Sequence, residues 1–387
     1  MLDAGFDYRE VPSPCFVLDE KLLRRNLEVI ADVARRADVE FIVALKANAT
    51  WSVFPMMREY VKGAAASSLA EVRLVREEFR LRGSAEFPEC HTYAPVYTDK
   101  DIDEILARSS HITFNSPDQH RRYGGRARNG GVSCGLRINP GWSPVETELY
   151  NPCAVGSRLG VPADMLQELP DGIDGLHFHS LFESRPEQLA RTLEAVEENF
   201  GHLLPKLKWL NMGGGHLVTH KDYDCDLLVE ILTGFKARYP NLHIILEPGS
   251  AFTWQTGWLV SQVQDVVEHG GVNTLMLDVS FACHMPDCLE MPYKPSVAGA
   301  HEPGEGEKCW RLGGNSCLAG DVMGDWAFDE EPGRGSYVIF EDMIHYTMVK
   351  TTMFNGVSHP SIVILRENGQ TDEVRRFGYE DYRDRMS

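Results

Sequence analysis

Lys46 is the residue of this sequence whose position best suits covalent chemistry. It ends the apolar run Phe41–Leu45 and is followed at once by Ala47-Asn48-Ala49, so we expect its aliphatic stem in the core and its amine in a cleft. Burial lowers the pKa of an amine and leaves it a better nucleophile. Such an amine can form a Schiff base with an aldehyde cofactor. The alternative is a lysine that extends its amine to solvent.

The elements that must position this lysine alternate between strand and helix. Short apolar runs predict eight strands, at Phe41–Leu45, Ala64–Ser67, His91–Tyr93, Ile112–Asn115, Cys134–Asn139, Gly175–His179, Trp209–Met212 and His243–Glu247. Stretches between them predict helices at Val53–Val61, Leu69–Arg82, Asp101–Arg108, Pro162–Leu169, Pro186–Phe200 and Leu227–Tyr239. This alternation predicts an α/β fold, a closed parallel (β/α)8 TIM-type barrel. The strands read as continuous apolar runs because a parallel sheet is covered on its outer face.

Unusual residues collect where the predicted strands end. Lys46 ends strand one, His177 and His179 end strand six, Gly213–Gly215 follow strand seven, and Glu247 ends strand eight. The active site of such a barrel lies at the C-terminal ends of its strands. Four strand ends with polar or glycine-rich chemistry therefore indicate one site.

The composition limits the classes of protein to consider. With 387 residues and 43% hydrophobic content, the chain can bury a large core and form two domains. A formal net charge of −19 disfavours a nucleic acid or an anionic membrane as partner and favours a cationic small molecule. No apolar run is long enough to span a bilayer, and Met1–Glu10 lacks the apolar region of a signal peptide. Nine scattered cysteines without CxxC pairs favour reduced thiols in a cytoplasmic protein.

The pattern changes after about Ala251. Apolar runs separated by turns rich in glycine and proline predict strands at Leu259–Val267, Asn273–Leu277, Tyr337–Phe340 and Ser361–Leu365. The early run Pro14–Leu18 precedes an amphipathic helix, Lys21–Arg36, and could add a strand to this second, mostly β domain. We therefore predict a barrel over residues 23–255 and a discontinuous β domain over 1–22 and 256–387.

These residues resemble the fold-type III pyridoxal-phosphate (PLP) decarboxylases, a group that holds ornithine, arginine and diaminopimelate decarboxylases and is related to alanine racemase. The resemblance runs from Pro14 to the C-terminus. Its group-wide marks are Ala44-Leu45-Lys46, Gly175–His179, Gly213–Gly215, Glu247-Pro248-Gly249, Ser316-Cys317 with Gly320-Asp321, and Tyr346. Marks of the carboxynorspermidine (carboxyspermidine) decarboxylase branch are Trp51–Phe54, Glu146–Pro152, Ser157–Gly160, Ser316–Asp321, Tyr346–Lys350 and Phe354–Gly356.

The resemblance implies a carboxy-lyase of polyamine biosynthesis that converts carboxynorspermidine or carboxyspermidine to norspermidine or spermidine. Lys46 would hold PLP as a Schiff base, and Glu247 would keep the pyridine nitrogen protonated so that the ring accepts electrons. His179 would stack on the ring. Backbone N–H groups of Gly213, Gly214 and Gly215, together with Tyr346, would bind the phosphate.

Some assignments leave alternatives open. Related decarboxylases often follow Glu-Pro-Gly with an arginine that reaches the phosphate, whereas this chain has Ser250. The triple glycine could also be an ordinary turn. His177 is the better candidate for a core histidine bonded to backbone. His177 and His179 could instead bind zinc, but the further candidates Asp278 and His284 lie outside the predicted barrel, so we expect no metal.

The resemblance also implies a homodimer with shared active sites. Cys317 and Asp321 would reach the site of the neighbouring subunit, where the cysteine delivers a proton to the carbanion carbon and the aspartate contacts the distal amine of the substrate. Asp278 is a second candidate ligand for that amine. The alternative for Cys317 is a small buried hydrophobic residue.

Other functions remain possible from the sequence. A metal-dependent barrel hydrolase would need more ligands at strand ends. A non-catalytic PLP-binding protein of the single-domain kind would lack the second domain and its cysteine loop. Within enzymes, the alternative is diaminopimelate decarboxylase or a decarboxylase of another basic amino acid.

Overall fold

The computed structural model of the chain describes residues 7–81 and 83–387. Residues 1–6 of the predicted β domain and Arg82, the end of a predicted helix, lie outside this range. Two compact units are present: Arg25–Phe252, and Met1–Arg24 together with Thr253–Ser387. The sequence placed these boundaries at 22/23 and 255/256. In the described part of the chain, no helix is long and apolar enough to cross a membrane.

The elements are numbered here in chain order. The strands are β1 (Cys15–Asp19), β2 (Glu40–Phe41), β3 (Val43–Ala44), β4 (Gly63–Ala66), β5 (Glu89–Tyr93), β6 (His111–Phe114), β7 (Ser133–Arg137), β8 (Gly175–His177), β9 (Trp209–Asn211), β10 (His243–Leu246), β11 (Gly257–His269), β12 (Val272–Leu277), β13 (Ala300–His301), β14 (Trp310–Gly313), β15 (Val322–Phe328), β16 (Tyr337–Glu341), β17 (Ser361–Leu365) and β18 (Thr371–Arg375). The α-helices are α1 (Glu20–Ala37), α2 (Phe54–Met57), α3 (Leu69–Glu78), α4 (Ile102–Arg108), α5 (Pro117–Asn129), α6 (Pro186–Phe200), α7 (Cys225–Arg238), α8 (Ser250–Thr253), α9 (Phe281–His284), α10 (Pro286–Glu290) and α11 (Tyr379–Met386).

The first of these units, Arg25–Phe252, is a parallel barrel. Its strands follow the order β2-β10-β9-β8-β7-β6-β5-β4-β3. β2 and β3 are two halves of the predicted first strand: β2 pairs with β10, and β3 pairs with β4. Between the halves, the Ile42 N–H donates to the Leu246 carbonyl at 2.9 Å. The two halves of one strand thus pair with the strands on either side and nearly close the barrel. The predicted TIM-type barrel is confirmed.

A tryptophan fills part of the barrel interior. Trp209 is 4% exposed and lies in register with Gly175, which lies in register with Gly135. A Cβ on Gly175 would lie 2.0 Å from the indole ring, and one on Gly135 would lie 2.3 Å from it. Glycines on two strands therefore leave the space that the indole on the third strand occupies, consistent with the close packing of protein interiors.

The outer helices follow their apolar periodicity. α6 has the predicted bounds, begins with a proline in its first turn, and buries Leu189, Leu193, Val196 and Phe200 along one face. The predicted helix Pro162–Leu169 is wrong, since a single 3-10 turn, Ala163–Met165, occupies that segment. Met165 is exposed there, so the segment has too few apolar side chains to bury a helical face.

The second unit is a mostly β domain, as predicted. Its sheet has the order β13-β15-β14-β12-β11-β1-β17-β18, with β16 also paired to β11. The early strand β1 joins this sheet between β11 and β17. Its core cluster is apolar and comprises Val11, Cys15, Val17, Trp258, Val260, Ile339, Val363 and Leu365. Strands β13, β14, β15 and β18 are additions that the sequence did not predict, because their apolar residues are few or alternate with exposed polar ones.

Candidate functional site

Lys46 lies just after β3, where its side chain is open to a cleft at the C-terminal ends of the barrel strands. Its Nζ is 3.1 Å from His179 Nε2. The Gly214 N–H donates to His179 Nδ1 at 3.2 Å, so Nδ1 has no proton and Nε2–H is the ring donor. The Lys46 nitrogen must then accept this hydrogen bond, which requires a neutral amine. Desolvation by the surrounding protein, together with Arg137, lowers the pKa of Lys46, while Glu247 opposes that shift.

Glu247 follows β10 and has two side-chain partners. Its Oε1 is 2.8 Å from His177 Nε2, and its Oε2 accepts from Asn211 Nδ2 at 3.3 Å. Burial alone would raise the pKa of Glu247, but His177 and the hydrogen bond from Asn211 outweigh it and lower that pKa to about 2. The carboxylate is therefore ionised at neutral pH, although only 13% of the side chain is exposed to solvent.

Arg137 and Tyr93 extend the polar group from neighbouring strands. Arg137 ends β7, is 4% exposed, and donates from Nη2 to the His179 carbonyl at 3.0 Å. Its guanidinium lies 4.8 Å from the centre of the Tyr93 ring, and the Tyr93 ring is 5.2 Å from that of His177. Burial, Lys46 and Arg137 lower the pKa of His179 well below its ordinary value.

These side chains surround one cleft, whose empty space of about 460 Å³ includes open solvent. The cleft is lined by Ala44, Lys46, Ala65, Ala66, Ser67, Tyr93, Pro95, Arg137, His177, His179 and Glu247. The sequence predicted that Lys46, His177, His179 and Glu247 lie close together, and the structure brings them into this cleft.

The triple glycine makes a tight turn after β9. Gly213 and Gly215 have φ of +70° and +90°, values that L side chains rarely adopt. A Cβ on Gly214 would lie 2.5 Å from the Glu247 carbonyl oxygen. The Gly213 N–H donates to Asn211 Oδ1 and the Gly214 N–H to His179. Two of the three amides thus have acceptors within the barrel unit, and phosphate binding by this turn stays a prediction.

Cys317 and Asp321 lie together in the β unit, on the loop between β14 and β15. Cys317 is exposed, and its N–H donates to Asn355 Oδ1 at 2.9 Å. Asp321 is 3% exposed. Its Oδ1 accepts from the N–H groups of Phe281 and Ala282, and its Oδ2 accepts from the N–H and hydroxyl of Ser316. This carboxylate holds the cysteine loop, and the predicted contact with a substrate amine stays a prediction.

Asp278 and Tyr346 belong to the same unit. Asp278 Oδ2 accepts from the Ser13 hydroxyl at 2.7 Å and Oδ1 from the Gln262 N–H at 2.9 Å. Both oxygens have partners within the unit, so its role as an amine ligand also stays a prediction. Tyr346 has a φ of +49°, an uncommon conformation for a residue with a side chain.

The structure offers a histidine cluster away from the cleft. In the described residues, Glu89, His91 and His111 place ligand atoms within 4.8 Å of one another at the opposite end of the barrel strands. The two imidazole rings are stacked at 4.0 Å with an interplanar angle of 9°. A metal ion lies in the plane of each histidine that binds it, and parallel planes share no such point. Glu89 Oε2 lies 3.1 Å from His91 Nε2, and the His111 ring is stacked on that of His91.

His177 differs from its expected role, because it bonds the side chain of Glu247 and not backbone. That expectation is wrong because the side chains of His177 and Glu247 both line the cleft. Sequence reasoning also missed Tyr93, Arg137 and Asn211. Each of them is the last residue of its strand, and a polar residue at a strand end was the available signal.

Comparisons with known proteins place this chain in a family. The family described as pyridoxal-dependent decarboxylase, C-terminal sheet domain, matches residues 15–344. The chain is 52% identical to carboxyaminopropylagmatine decarboxylase of Synechocystis sp. over 97% of this chain and 96% of that protein. It is 37% identical to carboxynorspermidine/carboxyspermidine decarboxylase of Campylobacter jejuni over 97% and 98% of the two chains.

A solved structure shows the same architecture. The crystal structure of carboxynorspermidine decarboxylase from Campylobacter jejuni, complexed with norspermidine, superposes with a TM-score of 0.89 at 36% identity, covering 97% of this chain and all of that one. The match extends over both the barrel and the β unit. An amine held neutral and a carboxylate held ionised in one barrel cleft suit pyridoxal phosphate, the cofactor of these enzymes. The chain belongs to the pyridoxal-dependent decarboxylases.

Proposed function

We propose that this chain decarboxylates a carboxyaminopropyl polyamine, a substrate with an amino-acid head and a cationic tail. The observation that carries the proposal is the cleft itself, where neutral Lys46 and ionised Glu247 meet in a full-length relative of enzymes named for such substrates. Carboxynorspermidine and carboxyspermidine are the substrates expected from the sequence. The net charge of −19 favours the approach of a cationic molecule.

A third substrate of the same class is favoured by one observation. Identity is 52% to the protein named for carboxyaminopropylagmatine and 37% to the one named for carboxynorspermidine and carboxyspermidine. Agmatine ends in a planar guanidinium, whereas the other two tails end in an ammonium. We propose the agmatine derivative as the preferred substrate, with the other two as slower ones.

The residues of the chain have separate tasks in this reaction. Bound PLP would supply a protonated ring that takes up the electron pair left by the loss of CO2. Lys46, as a neutral amine, would hold the cofactor at its aldehyde carbon. The Glu247 carboxylate would keep a proton on the ring nitrogen, and His179 would stack on the ring. The Cys317 thiol returns a proton to the α-carbon of the product.

Substrate trials test the proposal. Purified enzyme loaded with PLP is assayed for CO2 release from carboxyaminopropylagmatine, carboxynorspermidine, carboxyspermidine and diaminopimelate. We expect kcat/KM to be highest for the agmatine derivative, by at least about 10-fold, since hydrogen-bonded tails are discriminated more strongly than one methylene. A preference for carboxynorspermidine would reassign the preferred tail, and a preference for diaminopimelate would refute the polyamine class.

We further propose a cytoplasmic homodimer in which Cys317 of one subunit serves the site of the other. All nine cysteines, each within the described residues, are free, as expected of a reducing compartment. Neither Lys46→Ala nor Cys317→Ala homodimers should turn over well, but a mixture after subunit exchange should recover activity. About half the dimers are then mixed and each has one native site, so recovery should approach about a quarter of wild type. Demonstrated exchange without recovery would place both residues in one chain's site.

A further inference from the structure

His177 is a buried histidine that has no role in the reaction proposed for this chain. It ends β8 and is 1% exposed. Its Nε2 lies 2.8 Å from Glu247 Oε1. Its Nδ1 is fully buried and has no hydrogen-bond partner among the described residues. The hydrogen bond of this ring is therefore the one between Nε2 and the Glu247 carboxylate.

The hydrogen-bond pattern fixes the proton on this ring. An ionised carboxylate accepts, so the Nε2 of His177 must be the protonated nitrogen. A proton on Nδ1 as well would be buried and unpaired, which is costly. Burial lowers the pKa of His177, and the positive charge of Arg137 lowers it further against the pull of Glu247. His177 is therefore a neutral donor.

Neighbouring groups keep the ring in this state and orientation. The Tyr93 ring packs beside it at 5.2 Å, and the Arg137 guanidinium lies over the Tyr93 ring. On the other oxygen of Glu247, Asn211 donates from Nδ2 while its own Oδ1 accepts from the Gly213 N–H at 2.8 Å. The backbone N–H of Glu247 in turn donates to the Gly213 carbonyl at 2.8 Å.

We propose that His177 is a positioning residue for Glu247: as a neutral donor it orients the carboxylate without cancelling its charge, so that a full negative charge faces the ring nitrogen of the cofactor. A charged imidazolium in the same place would form a neutral ion pair with Glu247. That pair would attract a ring proton less strongly. The inference concerns the decarboxylase chemistry of the family and does not depend on which polyamine is the substrate.

The test compares two substitutions that differ in one hydrogen bond. His177→Gln can place an amide N–H close to the position of Nε2, whereas His177→Leu fills the space without a donor. The ring protonation of bound PLP is read from the 15N chemical shift of the labelled pyridine nitrogen, without any substrate. We expect a protonated nitrogen in wild type and His177→Gln, and a shift toward the unprotonated value in His177→Leu.

Turnover gives the second measurement. Loss of one hydrogen bond to a charged group should lower kcat of His177→Leu by about 10- to 100-fold, with KM changed less than about 3-fold, and His177→Gln should recover most of the rate. His120→Leu is the matched control, because His120 is also buried in the barrel unit but has no hydrogen-bond partner at Nε2 in the described part of the chain. It should leave both the 15N shift and kcat unchanged.

Each outcome decides the matter. An unchanged 15N shift in His177→Leu would overturn the positioning role, whatever the substrate trials show. Equal losses in His177→Leu and His177→Gln would show that the ring shape matters and not the donated hydrogen bond. Should His177→Leu fail to fold, His177→Asn replaces it, since its shorter amide reaches the Nδ1 position and not that of Nε2; a protonated nitrogen in that variant would also overturn the proposal.

Discussion

Replacing Glu247 by glutamine removes a charge that the barrel unit holds in place. Burial would raise the pKa of this carboxyl, yet His177 and Asn211 lower it from 4.5 to about 2. At ~1.4 kcal/mol per pKa unit, this amounts to about 3 kcal/mol in favour of the ionised form in the folded, cofactor-free protein. Because the folded-state pKa is the lower one, this stabilisation is complete above the unfolded value of 4.5 and is lost as the pH falls through 2.

Urea unfolding of cofactor-free wild type and Glu247→Gln between pH 7 and pH 2.5 measures this term. All other carboxyl groups are common to both proteins, so the difference in free energy of unfolding should shrink by up to about 3 kcal/mol as the pH falls. Glu230→Gln, at an exposed position of α7, is the matched control, and its difference from wild type in free energy of unfolding should not shrink in this way.

In the loaded enzyme, Glu247→Gln should lower turnover by orders of magnitude, because an unprotonated pyridine is a poor electron acceptor. A pH-independent difference, or near-normal turnover, would refute the reasoning.

Three further outcomes are expected. The loaded protein should be yellow, borohydride should fix the cofactor on Lys46, and Lys46→Ala should abolish both colour and turnover; labelling of another lysine by mass spectrometry would contradict the assignment. Gly175→Ala should destabilise the fold by about 1–3 kcal/mol, because its Cβ would lie 2.0 Å from Trp209. Gly125→Ala, in α5, should stabilise it by up to about 1 kcal/mol, because its Cβ would lie more than 4 Å from every described atom outside the adjoining helix backbone. Thermal unfolding that ranks the two variants in the opposite order would contradict this packing. Asp321→Asn should accelerate amide hydrogen exchange over residues 314–321, since the amide cannot accept all four hydrogen bonds that the carboxylate accepts; unchanged exchange would show that other contacts hold the loop.

Local sequence was sufficient for the barrel and for the main residues of its cleft. Apolar runs, their spacing and the helices between them are properties of short windows, and they predicted eight strands whose ends hold Lys46, His179 and Glu247. The segment Pro186–Phe200 shows the same principle, because its periodicity and its proline fixed both ends of the helix. Strands of the β unit with strong apolar runs were also predicted, whereas β13 and β18 were missed, since their pairing depends on neighbours distant in the chain.

Tertiary structure decided what each polar side chain does. His177 and Glu247 are 70 residues apart in sequence, and they meet because β8 and β10 lie on either side of β9 in the barrel. Nothing in the window around His177 distinguishes a bond to this carboxylate from a bond to backbone. Likewise, Asp321 and Asp278 are plain acidic residues in sequence, and only the fold shows that their oxygens are occupied by Ser316 and Ser13. Sequence periodicity determines which face of a strand a residue occupies. The hydrogen-bond partner on that face depends on which strand ends the barrel brings together, and the charge state of the side chain depends on that partner.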